Sequence, residues 1–133
     1  MNYVLAYGTI FIAGFLSCQL GIVVIGGSWF ESGHLGFFAG LAATLSALLI
    51  SKSYLFALQA GAIKALYLKT ILGTLLSHLL FGVLMAVQDI NNFGSALVLY
   101  AVVSAVFGFI PNLLFSFSFT TFLINYKNPR TLA

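Results

Sequence analysis

Long apolar stretches with almost no charge constrain the fold of this chain more than any other feature. The run from Tyr3 to Ile25 precedes the first charged residue, Glu31. As a helix rising about 1.5 Å per residue, it is long enough to cross about 30 Å of membrane hydrocarbon. Only 5% of the 133 residues are charged, whereas soluble domains have roughly 25%. A soluble fold of this size could not cover so much apolar surface. We therefore expect an all-α integral membrane protein whose first partner is the lipid bilayer.

Turn-forming residues divide the apolar sequence into four predicted transmembrane helices, at about 3–25, 35–58, 62–87 and 95–124. The helices are expected to form two hairpins in a single transmembrane domain, 1–133. Pro111 should kink the fourth helix, because proline removes a helical hydrogen bond. Phe115 to Phe122 alternates like a strand, but an open strand in lipid would leave its backbone groups unpaired, so we predict a helix there.

The segment from Lys52 to Lys69 carries three of the five basic residues and lies near the middle of the chain. It is either a helix on the membrane surface or a tight hairpin. A surface helix gathers its charges on one face. On a helical wheel Lys52, Lys64 and Lys69 point in different directions, so we predict a hairpin with its turn near Gln59, Ala60 and Gly61.

The distribution of positive charge predicts the orientation. Lys and Arg are absent from the loops near Glu31 and Asp89, and such residues are enriched in cytoplasmic loops. We therefore expect both termini and the middle turn to be cytoplasmic. The residues expected to anchor this topology are Lys52, Lys64, Lys69, Lys127 and Arg130. They form no basic patch of the kind that nucleic acids require, so no nucleic-acid partner is expected.

Small residues recur on the predicted helices and indicate close helix packing. Gly36 and Gly40 form a G-x-x-x-G motif, a common contact between membrane helices. The motif does not tell whether the helix that packs against it belongs to the same chain. The glycines expected to mediate such packing are Gly14, Gly21, Gly36, Gly40, Gly73 and Gly108.

His78 is the main candidate among polar residues inside the membrane. Counting from Lys69 at about 1.5 Å per residue places it near the midplane, where we expect a neutral imidazole. The same counting makes Thr44 or a serine within 116–118 of the fourth helix its hydrogen-bond partner, and we nominate Thr44 and Ser116. His78 is then either a structural residue satisfied by hydroxyls or a residue that titrates or contacts a ligand.

Gln19 and Asn112 are expected to form a second intramembrane pair, since counting places both in the outer half of the bilayer. A hydrogen bond between their amides would join the first and fourth helices. A structural role is favoured over a substrate site.

The sparse titratable groups argue against several kinds of chemistry. No Asp or Glu is predicted deep in a span, so an ion-coupled carrier with a buried carboxylate is not expected. Glu31 and His34 are too few ligands for a metal site. His34 and His78 are expected at different depths, which argues against bis-histidine haem ligation within one chain. We expect no cofactor and, lacking a nucleophile–base pair, no enzymatic activity.

In size and outline the chain is similar to two kinds of small bacterial inner-membrane protein. The small multidrug transporters carry a glutamate in the first span, where this chain has Gln19. The small protein that assists assembly of the ATP synthase rotor ring has an acidic residue at the start of its third span, where this chain has Gly61-Ala62-Ile63-Lys64. The resemblance is one of outline, and it implies four short spans in a bacterial inner membrane.

Two functions fit these observations. The first is an accessory subunit or assembly factor that packs against other membrane subunits through its small-residue faces. The alternative is a homo-oligomeric small transporter or channel with a polar path around His78. The sequence names neither a partner nor a substrate.

Overall fold

A computed structural model describes residues 3–127, with side chains described through Tyr126. Nearly all of this part of the chain is helical, and it contains no strand. The helices are α1, Tyr3–Val24; α2, Gly33–Gln59; α3, Ile63–Gln88; and α4, Phe93–Lys127, preceded by a 3₁₀ turn, Ile90–Asn92. Arg130, one of the expected topology anchors, lies outside the described residues.

The structure confirms the all-helical fold and the four helices long and apolar enough to cross a membrane. The segment around Lys52 to Lys69 is a hairpin: α2 ends at Gln59 and α3 begins at Ile63. The alternating segment from Phe115 to Phe122 is helical, as predicted, and α4 continues through Pro111.

Glycines end both α1 and α2 with the same backbone motif. Gly26 has φ +90° and Gly61 has φ +68°, a conformation that glycine adopts without a Cβ penalty. After each glycine, one amide bonds back over five residues, from Gly27 N to Ile22 O at 2.8 Å and from Ala62 N to Ala57 O at 3.0 Å. These Schellman motifs satisfy the last carbonyls of each helix and turn the chain back within a few residues.

The helices pack in a ring in chain order. α2 lies between α1 and α3, α3 lies between α2 and α4, and sparser contacts between α4 and α1 close the ring. α3 is the most buried helix, and its buried positions recur mainly every three or four residues, as expected for one helix face. The apolar core groups Ala42 with Phe81 and Met85.

Glycines bring helices of this one chain into close contact. A Cβ at Gly40 would lie 2.7 Å from the backbone oxygen of Phe11, and one at Gly14 would lie 3.0 Å from the backbone oxygen of Ala39. A Cβ at Gly36 would lie 2.9 Å from the ring of Phe15, which is also in α1. The G-x-x-x-G motif therefore packs α2 against α1 within the chain.

The remaining glycines of the predicted set differ in their surroundings. Gly73 faces Ile50 of α2, and Gly108 faces the imidazole of His78. Gly21 has no atom within 4 Å of the position a Cβ would take, so it makes no close helix contact in this structure.

Candidate functional site

Two cavities, each partly open, lie end to end between the four helices. The inner cavity, of about 150 Å³, is at the end where the α2–α3 hairpin lies, and the outer cavity, of about 190 Å³, is toward the first loop. Both are lined by residues of all four helices. A cavity needs only about 10–15 Å³ to hold one water molecule, so each has room for a small organic molecule.

The two cavities share one lining residue from each helix. Gly14, Ala43, Ser77 and Asn112 line both cavities, and we call these four residues the waist. Two of the four have no side chain beyond Cβ, and the other two carry a hydroxyl and a carboxamide. The waist therefore has little side-chain volume, and its hydroxyl and carboxamide can contact a solute that lies between the cavities.

A chain of hydroxyls lies in the inner cavity. Tyr54 Oη lies 2.8 Å from Thr120 Oγ1, which lies 3.0 Å from Thr70 Oγ1. Thr70 donates to the carbonyl of Leu66 at 2.9 Å, so it accepts from Thr120, and Thr120 in turn accepts from Tyr54. This directed chain joins α2 to α4, the helices that face each other diagonally in the ring.

His78 lies on the outer cavity and is almost fully buried, with 6% of its surface exposed. Its Nδ1 is 3.1 Å from the hydroxyl of Ser104, and its Nε2 is 3.5 Å from the amide nitrogen of Asn112. Its hydroxyl partner on α4 is thus Ser104, which lies outside the predicted segment 116–118.

The nominated partners Thr44 and Ser116 are wrong. Thr44 donates to the carbonyl of Gly40 within its own helix, and Ser116 lines the inner cavity. The prediction takes Tyr126 of α4 to lie level with Lys69 of α3. Thr120 lies level with Thr70, so Tyr126 lies nearer the hairpin, and positions counted from it are displaced along α4 by between one and two turns.

The predicted pairing of Gln19 with Asn112 is also wrong. Gln19 is buried at the outer end of α1, where its Nε2 donates to the carbonyl of Trp29 at 3.3 Å and its Oε1 accepts from Ser32 at 2.7 Å. Asn112 lies at the waist beside His78. Gln19 therefore holds the first loop against α1, which is a structural role.

Neither cavity is lined by a charged residue in the described part of the chain. Lys52 and Lys64 are exposed near the hairpin, and Glu31 and His34 are exposed in or beside the first loop. Within residues 3–127 no group of three His, Cys, Asp or Glu side chains is placed to hold a metal ion. The polar groups that line the cavities are hydroxyls, the carboxamide of Asn112, the imidazole of His78 and the thiol of Cys18, among apolar walls.

Comparison of the chain with models of protein families, with curated proteins and with solved structures found no match.

Most of the lining residues are not among those predicted from the sequence, although the sequence contains a signal for them. Polar or small residues follow one another every fourth position on two helices, which places them on one face. On α3 they are Thr70, Thr74 and His78, and on α4 they are Ser104, Gly108, Asn112, Ser116 and Thr120. Two such faces turned toward each other predict a polar seam inside a helix bundle.

Proposed function

We propose that this chain passes a small uncharged molecule across the membrane through the interior of its own helix ring. One observation carries the proposal: two cavities lined by all four helices share the four residues of the waist. A tightly packed structural bundle has few voids larger than a water molecule. Here two partly open cavities, of about 150 and 190 Å³, lie next to each other between the four helices.

The lining selects for an uncharged solute. Moving an isolated charge into a low-dielectric site costs several kcal/mol even after relaxation, unless an opposite charge compensates for it. No charged side chain of the described residues lines either cavity. Apolar walls with hydroxyls at intervals instead suit a molecule with an apolar part and one hydrogen-bonding group.

The proposed path belongs to one chain rather than to the interface of an oligomer. Each helix contributes residues to both cavities, and the small-residue contacts at Gly14 and Gly40 are used within the chain. In a homo-oligomer each chain would contain its own path, and no path would depend on contacts between chains.

Solute flux into proteoliposomes tests this proposal. We expect liposomes with the protein to re-swell faster than protein-free liposomes in an osmotic light-scattering assay with urea, glycerol or propionamide. They should show no such difference with sodium propionate, because the anion finds no counter-charge in the path. Equal rates with and without the protein for all three uncharged solutes would refute the proposal.

A matched pair of variants in α3 localises the flux. Ser77→Phe places a ring in the waist and should remove most of the excess rate, whereas Leu79→Phe changes an outward residue that is 50% exposed and should not. Asn112→Leu offers a second, smaller obstruction at the waist. Circular dichroism and size-exclusion chromatography of each variant separate a blocked path from a misfolded protein.

The proposed location is a bacterial inner membrane, with both termini and the α2–α3 hairpin in the cytoplasm. The support is the positive charge near the hairpin, at Lys52, Lys64 and Lys69, together with the resemblance in outline to small inner-membrane proteins.

A second proposed function is that of an accessory subunit or assembly factor of a larger membrane complex. The outward face of α1 supports it, since Ile12 and Leu20 are more than half exposed and Gly8 has open space around it. Lipid covers such a face equally well. Purification in mild detergent followed by mass spectrometry separates the two proposals: a stoichiometric larger subunit favours the second, and the chain alone favours the first.

A further inference from the structure

His78 and Asn112 face each other at the junction of the two cavities, and their hydrogen-bonding groups are incompletely used. His78 lines the outer cavity, and Asn112 lines both. Gly108 stands beside them: a Cβ there would lie 3.2 Å from His78 Cε1 and 3.5 Å from Asn112 Nδ2. The absence of a side chain at this position keeps the space next to both groups open.

The hydrogen bonds of Ser104 favour one tautomer of the His78 imidazole. The hydroxyl of Ser104 has the carbonyl of Ala101 as an acceptor at 3.0 Å, which leaves its oxygen to accept from His78. We therefore assign the imidazole N–H to His78 Nδ1, 3.1 Å from that oxygen. In a neutral imidazole this leaves Nε2 as an acceptor that faces Asn112.

Asn112 satisfies that acceptor poorly. Its amide nitrogen is 3.5 Å from Nε2, beyond the usual 2.7–3.2 Å of such bonds. The carboxamide oxygen of Asn112 has no hydrogen-bond partner among the described residues, and it is not sealed from the cavities. The pair therefore presents an acceptor on His78 and a donor on Asn112, side by side, to whatever occupies the waist.

We propose that His78 and Asn112 form the recognition site for a primary carboxamide or urea group of the transported molecule. The ligand's N–H donates to His78 Nε2, and its carbonyl oxygen accepts from Asn112 Nδ2–H. The nitrogen and oxygen of a carboxamide are about 2.3 Å apart, close enough to the 3.5 Å between the two protein nitrogens for two roughly parallel hydrogen bonds.

The same distance disfavours two other groups. A single hydroxyl oxygen about 2.8 Å from both nitrogens would have to make its two bonds at an angle of about 80°, well below the tetrahedral value. A carboxylate has no proton for His78 Nε2 and brings a charge into an uncharged site. The apolar walls of both cavities accommodate a short hydrocarbon part of the ligand.

This inference rests on the proposed function for the access of solutes to the cavity, and it is tested by binding rather than flux. The chain has two histidines, and the second, His34, is exposed beside the first loop. Protein labelled with ¹⁵N-histidine in lipid nanodiscs therefore gives two imidazoles, of which one is an internal control. His34→Gln assigns the signals.

Titration with propionamide should shift the Nε2 resonance of His78 saturably and leave His34 unmoved. N,N-Dimethylpropionamide, which lacks the N–H donor, and sodium propionate should have no such effect on His78. Asn112→Leu should weaken the apparent propionamide affinity about tenfold, the effect of losing one hydrogen bond of about 1–1.5 kcal/mol. Ser118→Ala, an exposed position on the same helix, should leave the affinity unchanged.

No shift of His78 with propionamide would overturn the carboxamide site, as would an equal shift with the dimethyl compound or with 1-propanol. Unchanged affinity in Asn112→Leu would remove Asn112 from the site. The flux assay has a separate outcome: saturable binding without flux refutes transport and keeps the site, whereas flux without the His78 shift refutes the site alone.

Discussion

Gln19 shows how one polar residue organises the outer end of the bundle. It is only 1% exposed, and the other buried residue of α1 is Gly14. Both ends of its amide are used, by the carbonyl of Trp29 and the hydroxyl of Ser32. A buried amide is tolerated only when it is hydrogen-bonded. The first loop is thus held to α1 by a side chain rather than by backbone pairing.

Replacing Gln19 by Leu should destabilise the protein by about 1–3 kcal/mol, because the carbonyl of Trp29 loses the Gln19 donor, while the hydroxyl of Ser32 keeps the carbonyl of Ser28 at 2.6 Å. Denaturant unfolding followed by the fluorescence of Trp29, the single tryptophan, measures this change. Ser32→Ala removes the hydroxyl that bonds to Gln19 Oε1 and leaves the bond from Gln19 Nε2 to Trp29 in place. The double variant should lose less unfolding free energy than the sum of the losses in the two single variants. Full additivity would mean that the residues do not interact.

The sequence identified the interior polar residues better than their partners. Gln19, His78 and Asn112 stand out because a polar side chain inside an apolar run needs a hydrogen-bond partner. Which partner it finds depends on how far each helix slides along its neighbour. α4 has no charged residue before Lys127, its last residue, so the sequence carries no marker near Thr120, which lies level with Thr70.

Contact between α1 and α2 depends on glycines that face backbone. At Gly40 an added Cβ would lie 2.7 Å from the Phe11 carbonyl oxygen and 3.0 Å from its ring. Backbone cannot rotate away as a side chain can, so the helices would have to separate. Association of membrane helices relies on such close van der Waals packing because lipid supplies little hydrophobic driving force.

Gly40→Ala should therefore lower the stability of the bundle by about 1–3 kcal/mol, the usual cost of overpacking. Gly8→Ala is the matched control, since Gly8 is in α1 and has nothing within 4 Å of the added Cβ. It should be neutral, or more stable by up to about 1 kcal/mol, because alanine is the better helix former. Thermal unfolding of both variants in detergent gives the comparison. An equal effect of the two substitutions would mean that α1 does not approach α2 at Gly40.

The helices and turns themselves were largely predictable from the sequence. The α2–α3 hairpin follows from Gly61 and from lysines that share no helical face, and the structure places its turn at the expected residues. What the G-x-x-x-G motif left open was its partner. The motif specifies a surface that admits a backbone, and any neighbouring helix of this or another chain satisfies that requirement.

At the scale of the whole molecule, the lysines of α2 and α3 lie toward one end of the described bundle. Lys52 lies seven residues before the end of α2, and Lys69 lies six residues after the start of α3, so each is about 10 Å from the hairpin. Their flexible side chains reach from there to the headgroups. The turn at the other end of α3, around Ile90–Asn92, has Asp89 and no cation.

This asymmetry predicts that the α2–α3 hairpin is cytoplasmic and that the turn at Ile90–Asn92 is not. Gln59→Cys and Asn91→Cys, each in a Cys18→Ser background, place exposed thiols at opposite ends of α3, about 39 Å apart for 26 residues. In intact cells a membrane-impermeant maleimide should label position 91 and should reach position 59 only after permeabilisation. Labelling of both positions from outside, or of position 59 alone, would contradict this orientation. Replacing Lys52, Lys64 and Lys69 together by Gln should make position 59 partly accessible from outside, because the C-terminal Lys127 and Arg130 would then carry the charge bias alone.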